Sequence, residues 1–193
     1  MEASVARATA VIKEMLHDRG LDLGELATIG DEEIKRLSET LDFFHLRAGD
    51  RDVVFVTRKL KTQDLQKAAA ALDESRRDRA ILVVTEKPAS FHRSTVEAYY
   101  GKEAEIFSLR ELQFNVSRHA LVPPHKKLSD AEVREVLRAY MLTDKRALPS
   151  IMSSDPMAKY TGARPGDVLR IERPSPTAGK TVFYRHTVAS RPC

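Results

Sequence analysis

Two short apolar runs constrain the fold of this chain more than any other feature of its sequence. Residues 53–56 (Val-Val-Phe-Val) and 81–84 (Ile-Leu-Val-Val) are apolar at every position, a pattern typical of strands that helices cover on both faces. The 24 residues between the runs predict a helix, capped by Thr62, from apolar residues at helical spacing: Leu65, Ala68, Ala69 and Leu72. Because so long a crossover normally joins parallel strands through a right-handed connection, the runs predict a three-layer α/β domain.

Helices are predicted on both sides of this strand-helix-strand unit. An opening amphipathic helix, which Gly20 would end, is indicated by the spacing of Val5, Ala8, Ile12, Met15 and Leu16. A second helix starts with the acids at 31–33, which suit the positive end of the helix dipole, and its apolar stripe is Ile34, Leu37 and Leu41. A third helix, entered through Pro88 and ended by Gly101, carries Val96, Tyr99 and Tyr100. Residues 106–107 predict one more strand.

The chain changes character near residue 118. Pro123-Pro124 disfavours helix on both sides, and the charge balance reverses, because residues 1–118 hold 19 basic and 21 acidic side chains and residues 119–193 hold 13 and 7. The net charges are therefore −2 (19 minus 21) and +6 (13 minus 7). We place a domain boundary here, giving domains 1–118 and 119–193. A basic half attracts nucleic acid and an acidic protein equally well, so charge alone leaves the partner open.

The second domain is predicted to be small and of mixed α+β type. Ser129 and Glu132 have the spacing of a capping box, which predicts a helix with one apolar face: Val133, Val136, Leu137, Tyr140 and Met141. Asp155 before Pro156 provides a cap and a first-turn proline for a brief helix that ends near Gly162. Two strands are predicted over residues 168–171 and 182–184, joined by the stretch 174–179.

Several kinds of protein are excluded by what the sequence lacks. No stretch approaches the roughly 18 consecutive apolar residues that span a membrane, and the N-terminus lacks the basic segment and apolar run of a secretion signal. We therefore expect an intracellular protein without membrane contact. Cys193 is the one thiol and has no partner for a disulfide or a zinc site. The eight glycines do not cluster into a phosphate-binding loop and the six histidines lack metal-ligand spacing, so neither cofactor nor metal is predicted.

An enzyme on the same α/β plan is an alternative interpretation. A nuclease needs paired carboxylates for Mg²⁺ and a lysine that orients water, converging at a strand end. The one Glu-x-Lys sequence, Glu33-Ile34-Lys35, falls on a predicted helix away from both apolar runs. The chain also has no Gly-x-Ser-x-Gly elbow for acyl transfer. A solvated helix face is the better interpretation, and we predict no catalytic residue.

Three basic segments are candidates for contact with phosphate. The sequences 76–79 (Arg-Arg-Asp-Arg) and 126–127 (Lys-Lys) are more typical of charged, solvated turns than of a binding site. The sequence Lys87-Pro88-Ala89-Ser90 is more specific, because a helix N-terminus presents free amides to an anion and Lys87 adds a cation. A plain helix start is the alternative for this segment.

An ordered series of motifs in the second domain resembles a known family. The motifs are residues 121–125 (Leu-Val-Pro-Pro-His), 148–151 (Leu-Pro-Ser-Ile), 155–160 (Asp-Pro-Met-Ala-Lys-Tyr), 165–168 (Pro-Gly-Asp-Val), 173–179 (Arg-Pro-Ser-Pro-Thr-Ala-Gly) and 184–185 (Tyr-Arg). Together they are similar to the fifth subunit shared by the three eukaryotic nuclear RNA polymerases, and the archaeal counterpart of that subunit resembles this module alone. Residues 15–20, 60–62 and 80–84 match, in order, the N-terminal jaw domain of the eukaryotic form.

The resemblance implies a fold and a function. The first domain would be a jaw domain with an endonuclease-like core and no active site, and the second an assembly domain that docks on the largest polymerase subunit beside neighbouring small subunits. The protein would be a non-catalytic subunit of a DNA-directed RNA polymerase whose jaw lines the channel for downstream duplex DNA. Transcription regulators are further candidate partners. The +6 of the second domain then fits an acidic face of the large subunit.

The resemblance also assigns candidate site residues. In the family a Thr-Pro-Ser-Ala turn at a helix start faces downstream DNA, and the matching residues are Lys87, Pro88, Ala89 and Ser90, where only the proline is kept. The implied docking residues are His125, Asp155, Pro156, Tyr160, Gly162, Gly166, Arg173, Gly179, Tyr184 and Arg185. Some of these have structural alternatives, because the glycines suit turns with positive φ and Asp155 suits a helix cap.

The sequence leaves two functional alternatives and the location open. The alternatives are a nuclease-like enzyme on the same fold and a free-standing transcription adaptor that borrows the assembly module. The resemblance implies a nuclear location. The segment between Leu41 and Val53 is shorter than in the eukaryotic subunits, which suits a virus-encoded polymerase, acting in the virion or in the host compartment of viral transcription.

Overall fold

The computed structural model describes residues 2–58, 61–72, 77–86, 90–101, 103–175 and 179–189. It divides into two compact units, Met1–Phe114 and Asn115–Cys193, each with its own four-stranded sheet. The division falls just before residue 118 because Asn115 is tied to the second unit. Its side chain accepts from the Ser117 amide in a 3-10 turn and donates to the Tyr160 hydroxyl (Nδ2 to Oη 3.0 Å). Some residues considered above lie outside the described residues: Arg76, Lys87, Pro88, Ala89 and Cys193.

The first unit is a mixed α/β structure. In chain order its elements are α1 (Glu2–Asp18), α2 (Glu25–Thr28), α3 (Asp31–Thr40), β1 (Phe43–Ala48), β2 (Arg51–Val56), α4 (Thr62–Ala71), β3 (Ile81–Val84), α5 (Ser90–Tyr100) and β4 (Glu105–Ser108). The sheet order is β1-β2-β3-β4. Strands β2, β3 and β4 are parallel and β1 pairs antiparallel with β2. The predicted parallel pairing of the two apolar runs is confirmed.

Helices lie on both faces of this sheet. On one face, alternate residues of β2 and β3 pack against α4 and α5 in a buried cluster that includes Val54, Leu82, Leu65, Val96 and Tyr100. The Tyr100 hydroxyl is satisfied there, because it donates to the Leu65 carbonyl at 3.1 Å. On the other face, α1 and α3 border a cavity of about 170 Å³ whose floor includes Phe55 and Val83. The strands are thus apolar on both sides because both sides are covered.

The structure corrects several details of the first unit. Strand β1 escapes a search for continuous apolar runs because its residues alternate between buried and exposed, yet Phe44 stacks on Phe55 of β2 (ring centroids 4.9 Å apart). Thr62 is the first helical residue of α4 and makes no cap, since the N-cap is Lys61. Leu41 lies beyond the end of α3 and is exposed. The apolar spine of α1 is buried as predicted.

The second unit is a smaller mixed structure. Its elements are β5 (His125–Lys127), α6 (Asp130–Ala139), β6 (Ser150–Met152), α7 (Pro156–Tyr160), β7 (Val168–Ser175) and β8 (Gly179–Val188). The sheet order is β5-β7-β8-β6, with β6 parallel to β8 and the other pairs antiparallel. The β7–β8 hairpin extends into the stretch predicted as a loop. Pro174 is tolerated there because β5 pairs with β7 only as far as Ile171, which leaves Pro174 on an open strand edge.

Helix α6 begins as predicted and ends unusually. Ser129 and Glu132 form the capping box. At the other end the Met141 amide donates to Arg138 (3.1 Å) and the Leu142 amide to Leu137 (2.8 Å), with Met141 in the left-handed region at φ 54°. This pair of hydrogen bonds is a common helix ending, in which the left-handed residue after the C-cap, here Met141, is usually glycine. Met141 therefore leaves the predicted apolar face of the helix and is 92% exposed, whereas Tyr140 stays beside Tyr184 on that face and is 56% exposed.

Replacing Met141 by glycine is expected to stabilise the protein. A residue with a Cβ costs about 1–2 kcal/mol in the left-handed region, and the Met141 side chain is too exposed to repay this by packing. We expect Met141→Gly to raise the free energy of unfolding by about 1 kcal/mol, measured by chemical denaturation. Met141→Ala is the matched control, because it removes the same side chain and keeps the Cβ. Equal stability of the two variants would contradict backbone strain at this position.

Candidate docking and DNA-facing residues

The candidate DNA-facing residues follow β3 in the chain. Lys87, Pro88 and Ala89 lie outside the described residues, and Ser90 is the first residue of α5. Just before residues 87–89, a hydrogen bond links the segments that follow β2 and β3, because the Thr85 hydroxyl donates to the Arg58 carbonyl at 3.0 Å. Since α5 begins at Ser90, the helix predicted after β3 is present. Contact of residues 87–90 with DNA stays a prediction.

The basic sequence at residues 76–79 is partly neutralised. The Arg79 guanidinium donates to the Asp50 carboxylate (Nη1 to Oδ2 2.6 Å), and this hydrogen bond, followed by the charge of Asp50, raises the pKa of Arg79. Because this cation already has a carboxylate partner, it is a poorer candidate for phosphate. The described part of this segment thus agrees with a charged, solvated turn.

The nuclease alternative finds no support in the described geometry. Glu33 and Lys35 lie on α3 and are exposed on either side of Ile34, which is buried. Among the described residues, no group of three or more His, Cys, Asp or Glu side chains is placed to hold a metal ion.

In the same part of the chain, none of the helices combines the length and the apolar character needed to cross a bilayer.

Most of the candidate docking residues have a clear internal role. Asp155 caps α7 by accepting from the Met157 amide (2.8 Å), and Pro156 occupies the first turn. Tyr160 is buried and its hydroxyl accepts from Asn115. Glycines at 162, 166 and 179 have φ of 67°, 100° and 70°. The structural alternatives for Asp155 and for these glycines are confirmed, and any role of these residues in docking stays a prediction.

Tyr184 and His125 are also engaged within the unit. The Tyr184 ring packs against the cluster of Leu128, Leu148 and Val168 beneath α6, and it meets Tyr140 edge-on with ring centroids 5.8 Å apart. His125 is half-buried, and its Nδ1 lies 2.7 Å from the Pro123 carbonyl. Tyr184 is therefore a partly buried residue that packs against the core on the α6 side of the sheet.

Arg173 and Arg185 are the candidate docking residues on β7 and β8 that point to solvent. Both side chains are exposed, and within the described residues neither has a salt bridge or a side-chain hydrogen bond. The register pairs Leu169 with Arg185 and Ile171 with Phe183. Because every second residue of a strand points to the same face, Arg173, Phe183 and Arg185 share one face, opposite Tyr184. We name these three residues the hairpin patch.

Phe183 has no place in any of the motifs that define the sequence resemblance, yet it lies at the centre of the hairpin patch and is 46% exposed. A signal for it exists in the sequence, since Phe183 directly precedes Tyr184 in the predicted strand 182–184, and adjacent residues of a strand point to opposite faces. That signal becomes useful only when the strand register is known.

A shallow groove lies on the opposite, α6 side of the sheet. It has a volume of about 340 Å³ and is bordered by Val136, Tyr140, Arg170 and Glu132. A hydrogen bond from Lys126, then hydrogen bonds from Ser129, lower the pKa of Glu132 to about 2. Glu132 forms a salt bridge with Lys126 (2.7 Å), and Arg170 forms a salt bridge with Glu172 (2.8 Å). The groove therefore has mixed, largely paired charge, unlike the hairpin patch.

Comparison with known proteins identifies the family. Residues 114–187 match the family model described as RNA polymerase Rpb5, C-terminal domain. The protein named DNA-directed RNA polymerases I, II, and III subunit rpabc1 of Dictyostelium discoideum is 31% identical over 187 residues, covering 90% of this chain and 92% of that protein. The subunit RPABC1 of Caenorhabditis elegans is also 31% identical, with 94% of each chain covered.

A shorter archaeal relative is more similar over a smaller part of the chain. The protein named DNA-directed RNA polymerase subunit Rpo5 of Pyrococcus abyssi is 46% identical over 76 residues, which is 39% of this chain and 92% of that protein. The eukaryotic relatives, in contrast, match nearly from end to end. The similarity thus extends over both units, and the chain belongs to the family of the fifth subunit of DNA-directed RNA polymerases.

Proposed function

We propose that this polymerase subunit is an accessory, non-catalytic one in which the two units have different tasks. The C-terminal unit anchors the chain to the largest polymerase subunit and to neighbouring small subunits, and so aids assembly. The N-terminal unit acts as a jaw that lines the channel for downstream duplex DNA. The observation that carries this proposal is the end-to-end similarity to named polymerase subunits.

The charge distribution supports this division of tasks. The C-terminal part is the basic one, at +6 over residues 119–193, and basic protein surfaces are steered towards acidic protein surfaces. A polymerase must hold DNA of any sequence, and contacts from a helix start to phosphates do this without reading bases. The start of α5 at Ser90 is the place we propose for such contacts.

The full-length relatives named above belong to eukaryotic polymerases I, II and III, and we therefore propose that this chain acts in the nucleus. Transcription regulators that touch the jaw are further proposed partners.

Affinity purification tests the assignment to an assembled polymerase. We expect a tagged full-length chain, expressed in its own host, to co-purify with the two largest polymerase subunits at one copy per enzyme. Isolation of the chain without polymerase subunits would favour the free-standing adaptor. Mg²⁺-dependent DNA cleavage by the purified chain alone, lost in Glu33→Gln, would favour the nuclease.

Site-specific crosslinking tests the DNA contact. We expect a photo-crosslinking residue in place of Ser90 to react with downstream duplex DNA in the assembled polymerase. The same residue in place of the exposed Arg134 on α6 is the control and should not react. Equal yields at both positions would contradict the jaw assignment.

A further inference from the structure

We propose that the hairpin patch, formed by Arg173, Phe183 and Arg185, is the surface through which the C-terminal unit binds an acidic protein surface of the polymerase, with Phe183 as its apolar anchor. The inference rests on the proposed function and adds to it the face of the sheet that binds and the residue at its energetic centre.

The apolar core of the second unit continues to the surface on the face that carries the hairpin patch. On the face opposite Tyr184, Leu169 packs with Ile151, Ala158 and Ala163 in a buried cluster beside α7. Further along the hairpin, Ile171 is still buried, but its cross-strand partner Phe183 is 46% exposed. The face is therefore covered at the α7 end and open at Phe183. A half-exposed aromatic ring that continues a buried core is a typical anchor of protein interfaces.

The hairpin patch also carries positive charge that no carboxylate among the described residues neutralises. Arg173 and Arg185 flank Phe183 on the same face, and within the described residues neither guanidinium has a carboxylate partner. The described strand residues of this face include no acid. Lys127, the other strand cation that shares this face, is already paired with Asp167 at 2.7 Å. Two uncompensated guanidinium groups around an apolar centre are complementary to carboxylates around an apolar pocket.

The same observations favour a protein over DNA as the occupant. Phosphate contacts require polar donors, and a solvent-facing phenylalanine gains nothing from a phosphate backbone. Aromatic and arginine side chains are, in contrast, enriched at protein interfaces. The groove beside α6 is the weaker docking candidate, because its charges at Glu132 and Arg170 are already paired.

Binding measurements with full-length variants test the patch. The probe is the largest polymerase subunit from the same host, co-expressed with its neighbouring small subunits. We expect Phe183→Thr, which suits a strand, and the double variant Arg173→Glu/Arg185→Glu each to raise the dissociation constant at least tenfold. Phe183→Tyr should retain binding. Lys180→Glu is the charge control on the opposite face of the same hairpin, and Met152→Ser is the control for an exposed apolar residue elsewhere; both should bind like the original chain.

The outcomes separate the patch from the proposed function. Failure of the original chain to bind the largest subunit overturns the proposed function and the patch with it. Binding by the original chain that the patch variants retain overturns the patch alone. Loss of duplex DNA binding by the patch variants, with subunit binding intact, also overturns it and assigns the surface to nucleic acid. Circular dichroism spectra and unfolding midpoints of the variants show that a loss of binding is not a loss of fold. Wild-type binding by Phe183→Tyr, together with loss of binding by Phe183→Thr, supports Phe183 as the apolar anchor.

Discussion

Glu105→Gln is expected to lower the free energy of unfolding by about 3 kcal/mol, because one carboxylate holds two largely buried arginines. Arg19, which follows α1, donates to both Glu105 oxygens (2.9 and 2.8 Å), and Arg51, at the start of β2, donates to one of them (3.1 Å). The side chains of Arg19, Arg51 and Glu105 are 8%, 17% and 18% exposed. Removing the negative charge leaves the two guanidinium groups largely buried without the carboxylate that neutralises them.

Chemical denaturation of the full chain measures this effect, and two variants control it. Asp50→Asn breaks the exposed pair with Arg79 and should leave the midpoint unchanged. Arg51→Met should cost less than Glu105→Gln, because Nε of Arg51 is buried without a hydrogen-bond partner in the described structure and Glu105 keeps Arg19. A loss for Glu105→Gln no larger than that for Asp50→Asn would show that the triad adds nothing to stability.

Gly24→Ala is expected to cost about 3 kcal/mol, from strain and from a steric clash together. Gly24 precedes α2 with φ 48°, where a Cβ is disfavoured. An added Cβ would lie 2.9 Å from both the Arg47 carbonyl oxygen and the Gly49 amide nitrogen. These are backbone atoms in and just after β1, so they cannot move aside like a flexible side chain. The substitution therefore forces the β1–β2 hairpin away from α2.

Gly20→Ala separates the two causes of this loss. Gly20 has φ 70°, but an added Cβ there meets no atom within 4 Å, so the variant carries the backbone strain without the clash. We expect it to cost about 1 kcal/mol. Thermal or chemical unfolding of both variants gives the comparison. If Gly24→Ala costs no more than Gly20→Ala, the close approach of α2 to the hairpin is not a constraint on the fold.

The central part of the first unit could be predicted because its signals are local and strong. Strands β2 and β3 are apolar throughout, and the helix between them has a regular apolar stripe. Strands β1, β5 and β6 could not be predicted in the same way. β1 alternates between buried and exposed residues, and β5 and β6 are three residues long, too short to set up a pattern. The pairing of β5 and β6 also depends on neighbours distant in sequence.

The candidate site could be predicted as a set of residues but not as a surface. Tyr184 and Arg185 are adjacent in the same motif, and the register of β7 and β8 sends them to opposite faces, so Tyr184 packs against the core cluster beneath α6 and Arg185 faces solvent. Phe183 lies in no motif at all. A motif records which residues are present, whereas the face that each residue occupies follows from strand pairing.

The β7–β8 hairpin and the parallel β2–β3 pair differ in how far apart in the chain their pairing partners lie, and this has a consequence for folding kinetics. The β7–β8 hairpin closes from Ser175 opposite Gly179 and adds one neighbouring pair after another, a process with little loss of chain entropy at each step. Pairing of β2 with β3 must wait until the intervening segment has brought distant residues together. The hairpin that carries the patch is therefore expected to form early, whereas the parallel pairing of β2 with β3 forms more slowly although the ribosome synthesises those strands first.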